Sequence, residues 1–140
     1  MQILKMAVAL TFGAAIPLAA QARDSKVGAA SGRYATAVEL GENTCGAVKV
    51  QSMPTVITHR LGENAVTLAH GPLTHHAVLK RNGTFLSTPV KLGAAPAEVT
   101  TVQVAGRFTT RGFLASVSVD IAGPRKCSYI VNWTGTREAN

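Results

Sequence analysis

Apolar residues recur at every second position along much of this chain. Over residues 112–121, Phe113, Ala115, Val117, Val119 and Ile121 share one face, and Leu114, Ser116, Ser118 and Asp120 share the other. Successive side chains of a strand point to opposite sides, so this period predicts a β-strand with one buried face. Near the C-terminus Cys127, Tyr129, Val131 and Trp133 form a second such face, and Val102, Val104, Gly106 and Phe108 form a third. Tyr34, Val38 and Leu40 form a fourth, interrupted by Thr36. Shorter apolar runs lie at 56–59, 65–70, 74–79 and 85–92. No segment carries a sustained helical period.

Turn residues separate these runs at short intervals. Asn82-Gly83 is the strongest signal, because both residues tolerate the positive φ of a tight hairpin. Gly62 with Asn64, Gly71-Pro72, Arg111-Gly112 and Gly123-Pro124 mark further turns. Pro89 lacks an amide hydrogen, so the run 85–92 is expected to be an edge, a bend or two short pieces. The spacing predicts about eight strands in an all-β domain of small antiparallel up-and-down type. A barrel of lipocalin-like size and a β-sandwich with adjacent terminal strands both satisfy this pattern.

The N-terminus changes the picture. A lysine at position 5, an apolar run over 6–18 and the small-residue pattern Ala20-Gln21-Ala22 form a signal peptide, residues 1–22. The run is shorter than the roughly 20 residues of a membrane span. Residues 23–140 are then one domain in a periplasmic or secreted location, with no membrane span after cleavage. In such an oxidising compartment the two cysteines, Cys45 and Cys127, are expected to form one disulfide. It would tie the segment after the first strand to the start of the last, as a closed barrel requires. That closure favours the barrel over the sandwich. Cys127 shares a face with Trp133, so the bond is expected to be buried beside that ring.

The net charge of +7 comes from basic residues that look scattered along the chain. Scattered charge means a solvated exterior with some attraction for anionic envelope components. There is no clustered basic stripe with stacking aromatics, so no nucleic acid is expected. No nucleophile elbow, paired-carboxylate pattern or phosphate-binding loop is present, and neither enzymatic activity nor a cofactor is expected. His59, His70 and His75 lie close in sequence. His70 and His75 flank a turn that can bring them together, which makes a weak metal site with His59 one alternative. His76, beside His75, must point to the opposite face.

Gly32-Arg33-Tyr34 with the late Arg137 is similar to the Gly-x-aromatic and arginine of lipocalin-type barrels. Those barrels place Trp where this chain has Tyr34, and their other motifs are missing, so no functional residue carries over. The expected function is that of an exported, monomeric, non-enzymatic binding protein. A barrel of about eight strands is just wide enough to be filled or to hold one small apolar ligand. Tyr34, Val104, Phe108, Phe113, Val117, Tyr129 and Trp133 are the interior residues expected to meet such a ligand. An interaction module or inhibitor using the basic exterior and loops is the competing expectation.

Overall fold

The computed structural model describes residues 29–139, and the proposed signal peptide lies outside them. Nine strands follow one another: β1 Gly32–Asn43, β2 Thr55–His59, β3 Ala65–His70, β4 Leu73–Leu79, β5 Thr84–Ser87, β6 Val90–Leu92, β7 Val99–Phe108, β8 Gly112–Ala122 and β9 Cys127–Arg137. Each hairpin neighbour pairs antiparallel. The first strand also pairs with the last, from Tyr34 opposite Arg137 to Asn43 opposite Tyr129. On the other side β5 pairs with β7 at residues 105–107. Strands β1–β5 and β7–β9 therefore close an eight-stranded antiparallel barrel, and β6 runs on along β7 outside that ring. Among the described residues there is no helix.

Alternation places the core as the sequence predicts. Phe113, Ala115, Val117, Val119 and Ile121 are all buried, while Leu114 on the opposite face of β8 is exposed. The lower half of the barrel, at the β1 start and β9 end, is filled by aromatic rings. Tyr34 meets Phe113 edge-on at 5.2 Å, Phe113 meets Phe108 at 6.2 Å, and Phe108 meets Phe85 at 5.0 Å. Gly135 makes room for this layer: a Cβ there would lie 2.1 Å from the Phe113 ring.

That end is also sealed. Tyr34 Oη donates to the Ala30 carbonyl at 2.7 Å, and Arg137 Nη2 donates to Tyr34 Oη at 2.8 Å. The same guanidinium donates to the carbonyls of Ser31 and Ala29 and lies 5.2 Å from the Tyr34 ring centroid. Residues 29–31 are thereby folded across the barrel mouth, with Ala30 buried. Burial pushes the Tyr34 hydroxyl above its ordinary pKa, and the Arg137 charge partly opposes this.

Three details differ from the sequence reading, and a fourth follows it. Thr36 does not interrupt the inward face of β1 but belongs to it, buried and bonded to Thr55. Leu40 leaves the core, because it sits at the rim where a register shift follows. The 85–92 run breaks at Thr88-Pro89 into β5 and β6, one of the outcomes expected of that proline. At the β4–β5 turn only Gly83 has positive φ; Asn82 Oδ1 instead accepts from the Thr84 amide and hydroxyl.

Cys45 and Cys127 form the disulfide, with Cα atoms 5.1 Å apart and 82 positions between them in sequence. The bond is consistent with an oxidising, exported location. It is half-buried rather than buried beside Trp133. The two residues share a face of β9 but are six positions apart, about 20 Å at the rise of a strand. Thr44 and Ser128 hydrogen-bond beside it, so the bridge clamps the far end of the β1–β9 ladder.

Because β1 and β9 are joined by a full ladder, the Cys45→Ser/Cys127→Ser variant should keep its far-ultraviolet β spectrum. Its stability in urea titration should fall by about 2–5 kcal/mol, the range for losing a long-loop disulfide. An unchanged urea midpoint would show that the bridge adds nothing to closure.

Candidate functional site

The upper half of the barrel, at the disulfide end, is not filled. The inward positions there are short or β-branched: Val38 on β1, Val102 on β7, Val117 and Val119 on β8, Val131 on β9. Such side chains cannot reach across a ring of eight strands. A cup of about 300 Å³ remains, with Leu73, Leu92, Val50 and Tyr129 toward its rim and Trp133, His70 and His75 among its lining. No lysine, arginine or acidic residue lines it.

Gln51, Thr100 and Tyr129 add polar atoms to the lining, and the two imidazoles come from the β3–β4 hairpin. The two-residue turn Gly71-Pro72, with Gly71 at φ 59°, sets His70 opposite Leu73 and Leu68 opposite His75. Both imidazoles then face inward on adjacent strands. His70 stacks on Trp133 with centroids 4.1 Å apart, and His75 meets the same indole edge-on at 6.2 Å.

A chain of hydroxyls fixes the His70 tautomer. Thr36 Oγ1 donates to the Tyr34 carbonyl at 3.2 Å. Its single proton is then used, so across 2.8 Å it accepts from Thr55 Oγ1. Thr55 in turn must accept across 2.9 Å from His70 Nδ1. A hydroxyl has one proton to give, so this order places the His70 hydrogen on Nδ1 and leaves Nε2 an acceptor.

His75 is different. It is only 1% exposed, and among the described residues its Nδ1 has no hydrogen-bond partner. A buried polar atom left unpaired costs about 1–3 kcal/mol. Burial lowers the pKa of both imidazoles; the second cause is His75 for His70 and His76 for His75. Both are neutral at pH 7.

The candidate residues divide between the two ends. Val117, Tyr129 and Trp133 line the cup. Tyr34, Phe108 and Phe113 belong to the packed lower half, with Val104 fully buried in the core. His70 and His75 come together, whereas His59 sits at the sealed end, bonded to the Ala30 amide and the Glu63 carbonyl. The three imidazoles thus do not share one rim, and among the described residues no group of three or more metal-ligating side chains forms. Sequence reading passed over Thr36 and Thr55, although Thr36 lies two residues from Tyr34 on the inward phase of β1.

The histidine shifts set a pH dependence. In the folded state both pKa values lie below the ordinary 6.5, so the unfolded chain takes up protons first on acidification. Their contribution to stability is complete above about pH 6.5 and is lost as pH falls toward the folded values. The urea midpoint should therefore drop between pH 7.5 and pH 5, and the drop should shrink in His70→Phe/His75→Leu. An identical drop in that variant would place its origin elsewhere.

No protein-family model matches the chain, and neither does any curated protein or solved structure. The functional reading therefore rests on the geometry of this site.

Proposed function

We propose that this protein is an exported, non-enzymatic binding protein whose open barrel end holds one small, uncharged, mainly apolar molecule. The mainly apolar cup, bordered by a His75 ring whose buried Nδ1 has no partner among the described residues, is the observation that carries this reading. A cup of about 300 Å³ is at the lower limit of the ~300–1,000 Å³ found for ligand pockets. Apolar walls with a few fixed polar groups are the usual composition of such sites. A lining without Lys, Arg, Asp or Glu disfavours an ionic ligand, which would lose its hydration without gaining a counter-charge.

The ligand's polar group follows from the imidazoles. His70 Nε2 offers a lone pair, and His75 Nδ1 accepts or donates according to its tautomer. An alcohol or phenol hydroxyl can both give and take a hydrogen bond, and so matches the pair. The ligand body would lie against the valines and the Trp133–His70 stack. The lining has neither a carboxylate nor a cysteine, which supports the reading of a holding site. The signal-like N-terminus and the disulfide together support a periplasmic or extracellular location.

Native mass spectrometry of protein purified from its own host, without denaturation, tests this. The wild type should carry an additional small mass, and its displacement should change the emission of Trp133, the sole tryptophan. His75→Leu should lose that mass while becoming more stable by about 1 kcal/mol, because the unpaired nitrogen is gone. A bare wild-type mass, or a His75→Leu variant that keeps the ligand and loses stability, would contradict the proposal.

A further inference from the structure

Closure of the barrel sorts the charge that looks scattered in sequence. The turns β2–β3, β4–β5 and β7–β8, the start of β1 and the end of β9 all meet at the sealed end. They bring Arg33, Arg60, Lys80, Arg81, Arg107, Arg111 and Arg137 together, against only Glu63 and Glu138. In the other half Lys49, Lys91, Arg125 and Lys126 are balanced by Glu39, Glu42, Glu98 and Asp120. The excess positive charge of the described residues therefore resides entirely at the end opposite the cup.

Few of these cations are neutralised internally. Arg33 pairs with Glu138 at 3.3 Å, and Arg137 is held by Tyr34 and backbone carbonyls. Among the described residues Arg60, Lys80, Arg81, Arg107 and Arg111 form no ion pair. Beside Arg60, at the tip of the β2–β3 turn, stands Leu61, a large apolar side chain 52% exposed. A recess of about 450 Å³ lies between the β4–β5 and β7–β8 turns, lined by Lys80, Arg81 and Thr110, with Arg137 and Phe108 also bordering it.

We propose that this end docks on an anionic membrane surface. Three hairpin turns at one end of the barrel carry Arg60, Lys80, Arg81 and Arg111, a cluster of cations that suits a field of anionic headgroups. A planar lipid surface also explains an apolar leucine among arginines: cations attract the headgroups while Leu61 enters the boundary with the acyl chains. Each Lys or Arg near such a surface is worth about a fivefold gain in binding. In this arrangement the cup on the opposite end faces away from the membrane, open to solvent. The proposal stands apart from the cup reading, since the two sites share no residue.

Flotation with phosphatidylcholine vesicles and with equimolar phosphatidylglycerol–phosphatidylcholine vesicles tests it. The protein should float only with the anionic vesicles, and raising salt from roughly 0.05 M to 0.5 M should release it, as the screening length shortens. Arg81→Glu/Arg111→Glu should reduce binding at least about tenfold, given the per-residue gain above. Lys91→Glu/Lys126→Glu, the same charge change at the other end, should reduce it far less. Leu61→Ser should weaken binding several-fold with no change in salt dependence. All the substituted side chains are exposed, and matched thermal midpoints would establish that the variants fold. Equal flotation with both vesicle types, absence of flotation, or equal loss from either charge reversal would overturn the proposal. So would retention on an acidic polypeptide such as polyglutamate without vesicle binding, which would instead assign the face to acidic proteins.

Discussion

Pairing of β1 with β9 is the constraint on which the rest of this structure depends. An open sheet leaves two rows of unpaired backbone groups; closure removes them and gives every strand of the ring two neighbours. The ladder runs from Tyr34–Arg137 at one end to Asn43–Tyr129 at the other. It is fastened at both limits. The Arg137 guanidinium holds residues 29–31 and Tyr34 at the sealed end, and the Cys45–Cys127 bond with the Thr44–Ser128 hydrogen bonds holds the open end. Only once the ring is closed do an inside, an outside and two distinct ends exist.

The two ends differ because the inward side chains differ in reach. Tyr34, Phe85, Phe108 and Phe113 pack the interior of the lower half, and the recess of about 450 Å³ at that end lies outside this layer, between the hairpin turns and Arg137. Valines line the upper half, and the space they leave becomes the cup. Trp133 with His70 and His75 supplies the aromatic groups deep in that half, against which the proposed guest would rest. The Thr36–Thr55–His70 chain is satisfied internally, while His75 Nδ1 has no partner among the described residues. The same division places unpaired cations at the filled end and a neutral lining at the open one.

Much of the barrel was legible in the sequence because strand periodicity is local. The face of β8, the hairpin turns at Gly71-Pro72 and Gly83, the break at Pro89 and the Cys45–Cys127 link each depend on residues within one or two elements. Position along the barrel axis was not legible in the same way. It depends on the register between strands, which assigns Tyr34 and Phe113 to the packed half but Val117 and Tyr129 to the cup. His59 looked like a partner for His70 and His75 because it is near them in sequence. The strand direction carries it to the other end. Charge segregation was hidden for the same reason: Arg60, Arg81 and Arg111 are far apart in the chain and become neighbours only through three hairpins pointing the same way. Thr36 was misread because a hydroxyl on an apolar face resembles an interruption until its partner Thr55 is known.

On the proposed reading, the barrel interior is packed by aromatic rings at one end and receptive at the other. Methyl-resolved NMR during titration with indole, a small neutral aromatic molecule with one hydrogen-bond donor, measures this directly. Saturable shifts are predicted at Val102, Val117, Val119 and Val131, with Val66 and Leu79 toward the aromatic end unchanged. Shifts absent throughout, or spread equally over both groups, would contradict it.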